Sequence, residues 1–134
     1  MTVHALHPSR FQVNEAWIIF RLNDAPICTE AEGDFNLIAF MDAASCFILG
    51  MNLIPASAIE PTRLESKRLL EQGQARKQQL PKTLFVPNKM PADIFAGEAE
   101  RKGIAVVRVP EQQLQVFVGE AKECFLERFG GRTQ

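Results

Sequence analysis

Thr83–Pro110, TLFVPNKMPADIFAGEAERKGIAVVRVP, reads as strand, turn, helix, turn, strand. Thr83–Val86 is a short apolar run closed by Pro87-Asn88. Pro91 suits the first turn of a helix, where a missing N–H costs nothing. Ile94, Phe95 and Ala99 then give the helix an apolar side, with Glu98, Glu100, Arg101 and Lys102 outside. Gly103 supplies a left-handed stop, and Ile104–Val109 resumes an apolar run rich in β-branched residues. A helix of this length between two buried runs joins parallel neighbours, in the right-handed sense. The stretch predicts two parallel strands with a helix packed across them.

Working upstream, the pattern is helical from Ile59 to about Leu80, with Pro61 near the start. Its apolar face is thin: Leu64, Leu69, Leu70 and Ala75. Gly73 weakens it by about 1 kcal/mol relative to Ala. Such a helix covers a sheet edge, packs on a partner, or frays beyond Gly73. Downstream, Gln112–Phe129 places Leu114, Phe117, Val118, Ala121, Cys124, Phe125 and Phe129 on one stripe, and Gly130-Gly131 stops it.

The first half has the marks of an antiparallel meander. Ala16–Leu22 is β-prone, with Trp17 as a core anchor. Asn23–Pro26 signals a turn, after which Ile27–Thr29 is expected as the returning strand of a hairpin. Phe35–Met41, FNLIAFM, is nearly continuous apolar residues, as in a strand covered on both faces. Asp42-Ala43-Ala44-Ser45 turns the chain, and Cys46–Ile54 returns with Gly50 as a bulge candidate. Residues 1–14 read as an irregular lead-in. The expected architecture is a single α/β domain over 1–134. It has a mixed sheet of about five strands, an antiparallel meander followed by parallel βαβ units, with three helices on its faces.

Composition narrows the partners. With 46% hydrophobic and 23% charged residues and a net charge of −1, no global field draws the molecule to nucleic acid or membrane. Cys28, Cys46 and Cys124 follow no metal spacing and sit in apolar runs, which predicts reduced, buried thiols and a cytoplasmic protein. No secretory leader or bilayer-length apolar run is read, so no membrane partner is expected. No glycine-rich phosphate loop or GxSxG motif occurs. His4 and His7 have a spacing a metal could use on a helix, but a lead-in position favours no role.

Phe40-Met41-Asp42-Ala43-Ala44-Ser45-Cys46-Phe47-Ile48-Leu49-Gly50 resembles the first hairpin of the ribonuclease H-like superfamily, the core of integrases and transposases. There an Asp ends the first strand, and Ser precedes a strand carrying a Gly. Pro87-Asn88-Lys89, followed by a helix and Gly103-Ile104, resembles the segment in which a second Asp ends a strand ahead of a helix. Glu120 or Glu123 stands where the family places its third carboxylate. The likeness spans about Phe35–Gly130 and implies a ribonuclease H-like fold. It also implies candidate catalytic residues Asp42, Asn88 and Glu120, with Asp42, Glu120 and Glu123 as Mg²⁺ or Mn²⁺ ligands. The family's chemistry converges carboxylates on two divalent cations that clamp the attacking and leaving oxygens of a phosphodiester. Asn88 departs from that pattern, since an amide oxygen brings no charge to the metal. A second reading of Asp42 and Asn88 is as turn or cap residues.

Charge is unevenly distributed. Between Arg21 and Arg63 lie six acids and no base, whereas Arg63–Lys89 carries seven bases against Glu65 and Glu71. Arg63, Lys67, Arg68, Arg76 and Lys77 are therefore candidate binding residues on the long helix. Three functions follow. The default is a non-catalytic ribonuclease H-like binding or assembly module, a homodimer needing no cofactor. The alternatives are a Mg²⁺- or Mn²⁺-dependent nuclease or strand-transferase, and non-catalytic nucleic-acid binding through the basic helix.

Overall fold

The structure, a computed structural model, describes residues 6–23, 27–30, 33–58 and 60–129, the backbone alone for residue 29 and for 124–129. Its strands are β1 (Ala16–Arg21), β2 (Ile27–Thr29), β3 (Gly33–Asp42), β4 (Ile48–Pro55), β5 (Thr83–Pro87) and β6 (Ala105–Val109). Its helices are α1 (Arg63–Lys77), α2 (Asp93–Arg101) and α3 (Glu111–Phe129), after a short 3₁₀ turn at Pro8–Arg10.

The decisive stretch folds as its pattern predicts. β5 and β6 are parallel, in register from Thr83 opposite Ala105 to Pro87 opposite Val109, with α2 as the crossover. β1 lies parallel on the other side of β5, with Trp17 opposite Leu84. β3 runs antiparallel to β1, with Trp17 opposite Asp42, and β4 runs antiparallel to β3. The spatial order is therefore β4-β3-β1-β5-β6, a mixed α/β sheet with three helices on its faces.

β2 departs from the expected hairpin. Phe35 pairs with both Ile27 and Pro55, and Ile38 with both Arg21 and Asn52, so β1 and β2 share one edge of β3. Instead of folding back on β1, β2 continues along its line. The reason lies at Asn23. After Leu22 N–H bonds Leu37 O at 2.8 Å, the side-chain Oδ1 of Asn23 accepts the Leu37 N–H at 2.7 Å. A side chain takes the place of a ladder carbonyl, and pairing with β3 breaks off there and resumes at Ile27 opposite Phe35.

Alternation along β1 sends successive side chains to opposite faces. Trp17 and Ile19 join Phe40, Leu69, Leu70, Leu84 and Phe95 in the core under α1 and α2. Ile18 and Phe20 join Ala39, Met41, Phe85, Leu114, Phe117 and Val118 under α3. Trp17 is fully buried, the anchor the sequence indicates, and its Nε1–H donates to Asn14 Oδ1 at 2.8 Å.

The thin face of α1 is made differently from its expected form. Leu64 is 58% exposed, Ala75 is exposed, and the buried residues are Ser66, Leu69, Leu70 and Gly73. A Cβ on Gly73 would come 2.5 Å from Phe40 Cε2 and 2.8 Å from Trp17 Cη2. The glycine is thus where the helix approaches the sheet most closely, rather than where it frays. Thr62 starts α1 with a capping box, its hydroxyl accepting the Glu65 N–H and Glu65 accepting the Thr62 N–H. On α2, Ile94 faces outward at 41% exposure while Glu98 is buried, the reverse of the expected pattern. Glu98 takes Arg63 at 3.2 Å and Arg101 at 3.0 Å, and these two cations make its burial tolerable.

Candidate functional site

β1 and β5 are parallel neighbours from which the chain moves off in opposite directions, to β3 on one side and to β6 on the other. In open α/β sheets such a reversal leaves a crevice at the carboxyl ends of the two strands. A cleft of about 250 Å³ lies there. Its floor includes Phe20, Ile38, Ile54, Pro87, Leu114 and Val118, and its mouth Arg21, Lys89, Lys122, Glu60, Glu111 and Gln115. Continuing the β1–β5 register by two residues sets Phe20 level with Pro87. The first turns of α3 close the third side, held over the cleft by Leu114, Phe117 and Val118 in the core.

The rim is braced. Arg108 on β6 donates to the carbonyls of Pro87 at 3.3 Å and Met90 at 2.8 Å and pairs with Asp93 at 2.6 Å. Glu111 Oε1 accepts the Lys89 N–H at 3.0 Å, and Glu60 Oε1 accepts the Ile94 N–H at the start of α2 at 2.6 Å. None of these rim contacts was legible beforehand, because each joins residues 15 to 34 positions apart.

The residues expected from sequence lie elsewhere. Asp42 closes β3 opposite Trp17, at the amino end of β1 and far from this cleft. Its side chain is fully buried: Oδ1 accepts the Asn14 N–H at 2.5 Å, and Oδ2 accepts the Ser45 N–H and hydroxyl, each at 2.8 Å. This is the turn role, with Asn14 recruited at a left-handed φ of 66°. Asn88 follows β5 at the other end of the sheet, its N–H bonded to Val109 O at 2.8 Å. Strand geometry separates the two by about 13 Å along the strands and about 10 Å across them. Glu120 and Glu123 are exposed on α3. Glu120 does approach the Asp42 end. Burial first, then Asp42, then Glu120 push the Cys46 thiol above its ordinary 9.0.

The structure therefore does not bring Asp42, Asn88 and Glu120 together. The strand beside β5 is β1, not β3, so the position facing the end of β5 is Phe20 rather than Asp42. At the crevice Phe20, Pro87, Leu114 and Val118 offer carbon, and these residues do not fit a pair of divalent cations. Among the described residues no group of three His, Cys, Asp or Glu side chains could hold a metal ion. His7 caps the Pro8–Arg10 turn through Nδ1, and His4 lies outside the described residues.

The basic helix is partly engaged within the fold. Arg63 pairs with Glu98, and Arg76 and Lys77 stand 5.6 and 5.9 Å from the ring of Phe47, which is half exposed. Lys67 and Arg68 are exposed. Of the cysteines, Cys28 is exposed and Cys46 half-buried, so neither has the deep burial expected of it; the Cys124 side chain lies outside the described residues. Among the described residues no helix is long and apolar enough to cross a membrane.

No family model and no curated protein matches the chain. Solved structures do. The catalytic core domain of BIV integrase superposes with a TM-score of 0.54 at 16% identity, covering 90% of this chain and 74% of that one. The simian T-cell lymphotropic virus intasome in complex with PP2A regulatory subunit B56 gamma gives 0.53 at 14% identity, over 96% of this chain and 44% of that one. The HTLV-2 integrase catalytic core domain in complex with magnesium, a dimeric form, gives 0.51 at 13% identity, over 81% and 82%. At these identities the likeness is one of architecture, and the strand order and helix placement agree with it: the chain has the ribonuclease H-like fold of integrase catalytic cores.

Proposed function

We propose that this ribonuclease H-like module binds and assembles rather than cutting or joining nucleic acid. The observation that carries the reading is the crevice at the ends of β1 and β5, where Phe20, Pro87, Leu114 and Val118 stand. Metal-assisted phosphoryl transfer needs carboxylates at one point, and among the described residues the acids lining the crevice, Glu60 and Glu111, each accept a backbone N–H. The buried carboxylate Asp42 is committed to a turn at the other end of the sheet. Self-association is part of the reading. Among the described residues β4 pairs only with β3 and forms an edge of the sheet, uncharged along its length, with Met51 and Leu53 49% and 51% exposed. Unprotected edges of this kind recruit a further strand. The dimeric form of the HTLV-2 core is consistent with two copies.

The test is incubation of the chain with labelled duplex and RNA–DNA hybrid in Mg²⁺ or Mn²⁺. No cleavage is expected, and sedimentation should give a dimer whose population falls with dilution. Cleavage lost in Asp42→Asn would overturn the non-catalytic reading, and a monomer at every concentration would overturn the assembly part. A second reading, non-catalytic nucleic-acid binding, is favoured by Arg76 and Lys77 around the exposed ring of Phe47. It requires salt-sensitive retention on single strands, weakened when Lys67, Arg68, Arg76 and Lys77 are neutralised.

A further inference from the structure

We propose that a second copy of the chain docks on β4, the two strands running antiparallel across a two-fold axis beside Asn52, with Met51 of each copy opposite the partner's Leu53. The proposal rests on the assembly reading and deepens it by naming the occupant of the edge and its register.

The backbone sets the register. Leu37 turns its N–H to Asn23 and its C=O to Leu22, both on the β1 side of β3. Along a strand these groups alternate between the two edges, so Asp34, Asn36, Ile38 and Phe40 turn theirs to β4. The Ala56 N–H, bonded to Asp34 O at 2.7 Å, agrees. Gly50, Asn52 and Ile54, opposite Phe40, Ile38 and Asn36, therefore bond back to β3. Met51 and Leu53 face the outer margin, where nothing among the described residues meets their N–H and C=O groups. Pro55, next along that margin, has no N–H to give, and the register shift between Phe40 and Met41 interrupts the other end. Setting Met51 opposite the partner's Leu53, and the reverse, pairs all four backbone groups of each copy. It also puts the two Asn52 side chains together, where each amide can donate to the other's carbonyl oxygen.

Charge selects a second copy. A two-fold axis sets a strand against its own kind, so any charge on it would repel, and Ile48–Pro55 carries none. At the far margin of the sheet, β6 carries Arg108. The antiparallel sense also brings unlike ends together. Arg76 and Lys77 stand over Phe47, just before β4. The exposed Asp34 lies beside Ala56, just after β4, on the face of β3 that Ile38 and Phe40 turn to α1. In this register Phe47 comes level with the partner's Ser57, which sets the two cations of one copy toward the partner's Asp34.

The experiment compares sedimentation of the full chain with that of charge variants at the two exposed positions. Met51→Lys with Leu53→Lys sets lysine opposite lysine and should raise the dimer dissociation constant about tenfold. Met51→Lys with Leu53→Glu sets each lysine opposite the partner's glutamate and should return the constant to within about threefold of the parent's. An unchanged urea midpoint in both variants shows an intact fold. Asn52→Cys should give, on mild oxidation, a dimer whose disulfide, mapped by peptide mass, joins the two introduced thiols, because residues paired at such an axis lie about 4.5 Å apart. A dimer indifferent to both charge variants overturns the proposal and leaves the assembly reading standing. A lysine–glutamate variant as weak as the lysine–lysine one overturns the register. An alternating Thr-Val peptide that shifts the Met51 and Leu53 amides at lower concentration than a peptide of Ile48–Pro55 would give the edge to a foreign strand and overturn the choice of occupant. A parent that is monomeric at every concentration sinks the assembly reading itself.

Discussion

The two ends of β1 are finished in opposite ways. At the amino end, Asp42 is sealed under Asn14 and Ser45, and Trp17 beside it is pressed by Gly73 and Phe40. At the carboxyl end, Phe20 opens onto a cleft whose polar groups stand at the mouth. One end spends its carboxylate on holding a turn, and the other leaves a carbon-lined space where a carboxylate would be needed for metal chemistry. The lesson is that an acid near a strand end says little until the neighbour of that strand is known. Asp42 marks the closed end because the strand parallel to β5 is β1.

The comparison can be broken first at the sealed end. Asp42→Ala strands the buried Asn14 N–H and removes the acceptor that both Ser45 donors share, and should cost about 3–5 kcal/mol in urea denaturation. A variant as stable as the parent would mean that Asp42 is free for another role. Gly73→Ala should cost about 1–3 kcal/mol despite the gain in helix propensity, because its methyl meets the rings of Phe40 and Trp17. A stabilised variant would show that α1 stands further from the sheet.

Smaller effects sharpen the contrast. The Cys46 thiol is raised by burial and by Asp42 and Glu120, so the folded state holds its proton more tightly than the unfolded chain. That contribution to stability is whole below the ordinary 9.0 and fades as the pH climbs through the raised value. Alkylation of Cys46 should accordingly lag behind that of the exposed Cys28 at neutral pH, and Glu120→Gln should narrow the gap. At the open end, Lys89→Ala and Gln115→Ala should change stability by less than about 0.5 kcal/mol, because exposed rim residues far from the core hold nothing closed.

Most of the architecture was legible because its signals are local. Pro91 and Gly103 punctuate the crossover, the period shifts from two to 3.6 and back, and the Leu114–Phe117–Val118–Ala121 stripe of α3 packs inward as written. What stayed hidden depends on partners distant in sequence. β2 rejoins β3 through the side chain of Asn23, and Glu98 is buried because Arg63 comes from another helix. The close approach at Gly73 is a contact made by a missing side chain, which hydrophobicity does not register. The candidate acids were misplaced for the same reason: the hairpin around Asp42 has the right local form, and only the sheet order reveals that it lies one strand away from β5. The cleft itself has no sequence signature, since its lining is gathered from elements at both ends of the chain.

The most direct test of the account is a Mn²⁺ titration followed by paramagnetic broadening of backbone amides. The account predicts no saturable broadening centred on Phe20, Asn88 and Leu114, only diffuse weak effects at exposed acids such as Glu120 and Glu123. Saturable broadening focused on the ends of β1 and β5 would contradict it, and would make that crevice a metal centre after all.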